Sequence, residues 1–301
     1  MSQPTLVSST MRLGVASQAL AYLELTKPRV VALIVLTTLV GFYLGSPANL
    51  DGWRLVHTLF GTALAAAGSL ALNQYLEREP DRLMLRTQTR PLPSQRLAPA
   101  AARSFGLVLA GGGLAYLIAT VGLGAFLVTA ATLIGYLFFY TPLKRRTSLC
   151  TLVGAVPGAL PPVTGWVAAR GDLSLPAWIL FAILFLWQLP HSLAIAQLYR
   201  ADYARAGFRL LPVLDSGGGA TGRHVLTNSF ALLVATFLPA WIGLAGAPYL
   251  ITAIGLGIAM IAAAALLASR RTVEAARHLV WVSLVYLPIL LLALALDRRL
   301  S

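Results

Sequence analysis

Nine stretches of about 20 apolar residues constrain this chain more than any other feature. They lie near residues 28–45, 56–76, 99–118, 121–140, 150–169, 176–198, 225–245, 248–268 and 278–296. A helix that rises 1.5 Å per residue needs roughly 20 such residues to cross a bilayer's hydrocarbon core. The runs are too long and too continuous for the alternating strands of an outer-membrane barrel. Only 11% of the 301 residues are charged and 58% are hydrophobic, which excludes an ordinary soluble domain, where about a quarter are charged. The expected fold is all-α: a polytopic membrane protein with about nine transmembrane helices around an intramembrane cavity. Glycine and alanine recur in the runs, as at 61–68, 111–113 and 154–158, and small residues let membrane helices approach closely.

The net charge of +13 raises nucleic acid as a partner. The basic residues sit in short loops between apolar runs, however, so topology explains them and no nucleic-acid partner is expected. With a cytoplasmic N-terminus, 19 of the 23 lysines and arginines fall in cytoplasmic segments, and Arg54, Arg170, Arg298 and Arg299 lie outside. That asymmetry predicts a multi-pass protein of the plasma (inner) membrane with its polar loops on the cytoplasmic side. The single cysteine, Cys150, excludes an intrachain disulfide and a cysteine-based metal site. The first 20 residues have no strongly apolar core after a basic start, so no cleaved signal peptide is expected. No linker or second domain is evident. The reading is one membrane domain over residues 1–301, with 1–24 as a cytoplasmic tail.

The chemistry concentrates in LNQYLEREPDRLMLRTQTRPLPSQRL, Leu72 to Leu97. It holds Glu77, Glu79 and Asp81, with Arg78, Arg82, Arg86, Arg90 and Arg96. Asn73, Glu77 and Asp81 stand at i, i+4 and i+8, so on a helix they share one face. Three oxygen donors there suit Mg²⁺, which keeps some waters and is completed by substrate phosphate. The arginines that follow can grip the same phosphate in bidentate fashion. The pattern reads as a metal–diphosphate site; the alternative is a solvated helix end and an ordinary loop.

A second cluster runs from Leu184 to Asp215: Trp187, Gln188 and His191 within a span, then Asp202, Tyr203, Arg205 and Asp215 in the next loop. A histidine in an apolar span is a functional candidate, and it serves equally as a core histidine bonded to a neighbouring helix. Pro190 predicts a kink. If Asp202 faces Glu77 and Asp81, the two clusters can hold two metal ions on one diphosphate. In YTPLKRRTSLC, Lys144, Arg145 and Arg146 suit a positive-inside anchor. Pro157, Pro161 and Pro162 with the glycines around them are expected to break the fifth span beside a cavity.

These segments, with LTKPRV at 25–30, GALPPVTGWVAA, PHSLAIA and DYARAGFRLLPV, together resemble the UbiA-type intramembrane prenyltransferase superfamily. They span positions 25 to 213 in the family's order, and the last third carries no motif. The continuation Arg-Thr-x-x-Arg-Pro-Leu-Pro is similar to the subgroup that uses heme as acceptor. The resemblance implies transfer of a farnesyl group from farnesyl diphosphate to a vinyl group of heme B, with Mg²⁺ as cofactor and heme A synthase as a candidate downstream partner. It implies Asn73, Glu77, Asp81 and Asp202 as the catalytic metal–diphosphate group. Arg86, Arg90, Lys144 and Lys27 become the diphosphate contacts, and Trp187, His191 and Tyr203 the acceptor pocket. The second motif is reduced, because Ala206 stands where other members have a second aspartate. Ser192 and Cys150 depart from the pattern on the acceptor side. Two alternatives stay open: a sister enzyme that prenylates an aromatic or quinone-precursor acceptor, and a polytopic transporter. The clustering of charge at one membrane face disfavours the transporter.

Overall fold

The computed structural model describes residues 15–299; Arg12 and most of the expected tail lie outside them. All regular structure among the described residues is helical: α1 (Val15–Thr26), α2 (Pro28–Gly45), α3 (Gly52–Leu76), the short α4 (Arg78–Leu83), α5 (Pro99–Thr120), α6 (Leu123–Leu143), α7 (Cys150–Arg170), α8 (Leu175–Leu198), the short α9 (Arg200–Arg205) and α10 (Leu211–Leu214), α11 (Gly219–Trp241), α12 (Ala247–Arg270) and α13 (Val273–Leu296). Leaving out α1 and the three short helices, nine are long and apolar enough to cross a membrane. Phe138, Ile251, Trp281 and Leu292 stand more than half exposed on their outer faces. That pattern suits a lipid solvent, in which every backbone polar group is satisfied within its own helix.

Small residues set the closest helix contacts. A Cβ on Gly68 of α3 would run into the backbone of Ala110 on α5, and one on Gly41 of α2 into the carbonyl of Pro162 on α7. These pairs bring the backbones together where lipid offers no hydrophobic drive for association. The larger half of the core joins α7, α8, α11, α12 and α13 around Trp166, Trp187, Tyr249 and Tyr286. The buried Tyr249 hydroxyl donates to the Thr236 carbonyl at 2.9 Å, as a phenol out of water must.

Element ends differ from the sequence reading where a side chain caps the helix. Asp51 accepts from the Arg54 amide at 2.9 Å and starts α3 four residues before position 56. Asp215 accepts from the Thr221 amide at 2.7 Å, and Gly218 turns the chain at φ 69°. Together they start α11 at Gly219 rather than near 225. The expected break in α7 is only a joint. Leu160 keeps right-handed helical angles (φ −76°, ψ −25°) between its halves, so Pro161 and Pro162 open a second helical segment instead of ending the span. α8 likewise runs on through Pro190.

Candidate active site

Pro80 shapes the donor end. It has no N–H to give the Leu76 carbonyl, and its ring would crowd that oxygen, so α3 stops at Leu76. Glu77 leaves helical angles (φ −96°, ψ 9°) and α4 begins at Arg78. The register survives the break: Glu77 N donates to Asn73 O at 2.9 Å and Asp81 N to Glu77 O at 2.8 Å. Asn73, Glu77 and Asp81 therefore line one cavity, as their spacing predicts, although Glu77 sits at the break between two helices rather than within one. All three are buried.

The orientation of Asn73 comes from α6. Residues Gly135–Tyr140 form a π-helical turn, a feature common at functional sites. The Thr141 hydroxyl donates to the Tyr136 carbonyl at 2.8 Å and accepts from Asn73 Nδ2 at 3.1 Å. With its amide nitrogen held, Asn73 presents Oδ1 to Lys27 Nζ at 3.4 Å.

Each acid is met by a cation. Lys144 Nζ donates to Glu77 Oε1 at 2.7 Å and lies 4.4 Å from the centre of the Tyr140 ring. Burial works to lower the Lys144 ammonium, but Glu77 and the nearby tyrosines hold it well above its ordinary value. Arg90 donates to Asp81 Oδ2 at 2.8 Å. Asp81 Oδ1 is buried with no partner, and an orphan carboxylate oxygen on a cavity wall is one a bound cation would satisfy. Lys27, in a left-handed conformation (φ 49°) between α1 and α2, also reaches the cavity. Burial first, then the positive charge of Arg90, pushes its ammonium down to about 7. Arg86 donates to the Tyr203 hydroxyl at 3.3 Å and packs 4.8 Å from the Tyr199 ring centre. The loop is tied to α1 through a two-pronged ion pair of Arg96 with Glu24, at 3.0 and 2.5 Å.

The cavity beneath holds about 480 Å³. Lys27, Asn73, Glu77, Asp81, Arg86, Arg90 and Lys144 cluster at one end, which we term the charged end. Apolar and hydroxyl side chains of α2, α3, α6, α7 and α8 form the walls. Trp187 and Tyr203 line it, with Gln188 and Ser192.

Asp202 takes another place than expected. Its carboxylate accepts from the amides of Leu85 and Arg86 at 3.3 and 3.2 Å and pairs with Arg205. Burial works to raise it, but those amides and Arg205 hold it below the ordinary carboxylate value. It thus clamps the arginine loop and does not line the cavity. Among the described residues, no three carboxylate, histidine or cysteine side chains converge as a metal group. The geometry brings together Asn73 Oδ1, Glu77 and Asp81, a hard-oxygen set. Oxygen donors of this kind could hold Mg²⁺, whose remaining positions are filled by phosphate and water. His191 stands beside the cavity rather than on its lining, its Nδ1 2.7 Å from Ser283 Oγ. Sequence reasoning missed Thr141 and Ser283, which meet Asn73 and His191. A hydroxyl whose partner is a distant helix leaves no local pattern.

A charged end over a long apolar cavity inside nine helices is the architecture of an intramembrane prenyltransferase, and the chain belongs to the UbiA prenyltransferase family, which it matches over residues 34–294. It is 45% identical to the protoheme IX farnesyltransferase of Solibacter usitatus (strain Ellin6076), over 92% of this chain and 98% of that relative. Among solved structures, a digeranylgeranylglyceryl phosphate synthase superposes with a TM-score of 0.78 at 20% identity, covering 93% of this chain and 98% of that one. A UbiA homolog from Archaeoglobus fulgidus bound to GPP and Mg²⁺ gives 0.63 at 17% identity, covering 91% and 99%. At these identities the two structures speak for the fold.

Proposed function

We propose that the chain transfers the farnesyl group of farnesyl diphosphate to a vinyl group of heme B, giving heme O and diphosphate, with Mg²⁺ as the metal. The observation that carries this reading is the charged end itself: four basic side chains around two carboxylates and an asparagine, capping an apolar cavity, in a chain similar throughout to protoheme IX farnesyltransferases. The cation excess draws an anion into the site. Lys144 and Arg90 then exchange a carboxylate for phosphate, which frees Glu77 and Asp81 to hold the metal. Mg²⁺, when bound, supplies positive charge that stabilises the departing diphosphate.

Lys27, Arg86, Arg90 and Lys144 donate to diphosphate oxygens as the allylic C–O bond breaks and its electron pair leaves with the diphosphate. The apolar walls keep bulk water from the farnesyl cation. The vinyl π electrons then form the new C–C bond. Water adds to the resulting cation and loses a proton. Positive-inside asymmetry supports a charged end at the cytoplasmic face of a plasma (inner) membrane.

The test is mass spectrometry of the heme pool after incubating purified protein with heme B, farnesyl diphosphate and Mg²⁺. Conversion to heme O supports the reading; diphosphate release with untouched heme rejects the acceptor. EDTA should stop conversion and added Mg²⁺ restore it, and undiminished turnover in EDTA would remove the metal from the mechanism.

A further inference from the structure

We propose that a ring of threonines at the floor of the cavity measures the prenyl chain, with Thr62 and Thr129 as the residues that select a tail of three isoprene units; this rests on the farnesyl reading above. The cavity runs down between the helices from the charged end. On four of them the lining residue farthest from that end is a threonine: Thr37 on α2, Thr62 on α3, Thr129 on α6 and Thr164 on α7. None is more than 4% exposed. The floor of an otherwise apolar cavity is thus polar on four sides.

The ring lies at the depth a farnesyl tail reaches. At the charged end Asn73 of α3 meets Thr141 of α6, 68 positions away. Further in, Ala65 and Leu133 share a cluster at the same separation, so Thr62 comes level with Thr129. Thr62 stands eleven residues inside Asn73, roughly 16 Å of helical rise. Thr37 stands ten residues inside Lys27, roughly 15 Å. A farnesyl chain has twelve carbons in line, and zigzag bonds of about 1.5 Å carry it roughly 14 Å; a fourth isoprene unit adds about 5 Å. Farnesyl therefore ends at the ring and a longer chain overshoots it. The floor does not yield on the α2–α7 side, where a Cβ on Gly165 would run into the Thr38 carbonyl.

Unspent hydroxyls make the floor selective. A threonine inside a helix ordinarily donates to a carbonyl about one turn back, as Thr37 does to Ile34 at 2.9 Å and Thr58 to Arg54 at 2.7 Å. The Thr62 and Thr129 hydroxyls are buried and have no partner among the described residues. A packing role alone would spend them on their own helices. Thr37 has given its hydrogen but keeps oxygen lone pairs. Two free donors with such acceptors at one depth suit a bound water, which takes two to four polar partners. A tail that ends above the ring leaves that water in place. A longer tail displaces it and lays hydrocarbon against hydroxyls that then bond to nothing.

The experiment offers geranyl, farnesyl and geranylgeranyl diphosphate to the full chain in nanodiscs with heme B and Mg²⁺, and reads the products by mass spectrometry. Preferences are taken as ratios of kcat/KM within each protein, so a poorer yield of a variant cancels. Wild type should favour farnesyl. Thr62→Ala with Thr129→Ala should raise geranylgeranyl use relative to farnesyl at least about tenfold, the scale of one unmet buried hydroxyl. Thr62→Ser with Thr129→Ser keeps the hydroxyls and should stay near wild type. Thr129→Leu raises the floor and should move the preference toward geranyl. Wild-type ratios in the alanine pair and in Thr129→Leu overturn the assignment, and equal gains in the alanine and serine pairs overturn the role of the hydroxyls. If wild type transfers farnesyl while the ratios hold across all variants, the floor assignment alone fails. If wild type transfers no farnesyl to heme B, the farnesyl reading fails with it.

Discussion

Replacing Lys144 by methionine should separate the structural from the chemical role of the Lys144–Glu77 pair. The nitrogen and oxygen stand 2.7 Å apart, with the two side chains 13% and 9% exposed. At an effective dielectric of about 20, that separation corresponds to ~6 kcal/mol of attraction. Desolvation of both groups offsets much of it, yet removing one partner strands the other's charge and costs about 3–5 kcal/mol. Lys144→Met and Glu77→Gln should each lower thermal stability in detergent. The double variant removes both charges and should recover most of the loss. Activity should behave otherwise. The double variant lacks a phosphate contact and a metal oxygen, so turnover should stay at least about 100-fold down, the scale of a lost oxyanion-type donor. Unfolding temperature and farnesyl transfer are measured on the same four proteins. A double variant no more stable than the sum of the singles refutes the pairing; recovery of turnover in it refutes the chemical role.

Other perturbations test the rest of the site. Lys27, held near 7 against an ordinary 10.5, makes the folded protein bind fewer protons than the unfolded chain between those values. Stability should therefore rise with pH there, and below about pH 7 the full penalty is carried; Lys27→Met should stabilise more at pH 6 than at pH 9. The same variant should flatten the fall of pyrophosphate affinity as pH rises through 7, by calorimetry, and an undiminished slope would assign that titration elsewhere. Asp202→Asn should raise KM for farnesyl diphosphate by loosening the clamp on the Leu85 and Arg86 amides, at about 2 kcal/mol for charge-assisted bonds. The Mg²⁺ dependence should be unchanged, and a shifted one would return Asp202 to the metal. Gly68→Leu should prevent α3 from seating on α5, lowering the yield of folded protein. Wild-type yield and unfolding temperature would refute that contact.

Much of the fold was legible because crossing lipid leaves so few options. A run of about 20 apolar residues has to be a helix there, and all nine expected spans are present. Boundaries slipped where a cap such as Asp51 or Asp215 starts a helix early, since a capping bond joins residues the hydropathy pattern cannot rank. At the site, the spacing of Asn73, Glu77 and Asp81 read correctly as a shared face. It read the wrong local structure, because Pro80 splits the helix without spoiling the register. Asp202 shows the limit. The resemblance implied it as part of the metal–diphosphate group; in the structure its carboxylate accepts from the backbone amides of another loop, contacts that sequence spacing does not record.

What the sequence by itself determined was the number of spans, their helical character, the concentration of charge at one end and the oxygen donors on one face. Hydrophobicity and helical periodicity are local properties and can be read residue by residue. What only the tertiary structure decided was the partner of each polar group: Lys144 on Glu77, Arg90 on Asp81, Thr141 on Asn73, Ser283 on His191. Each of these bonds except Arg90 to Asp81 joins residues dozens of positions apart. They exist because a buried polar atom must find a partner in whichever helix packs beside it.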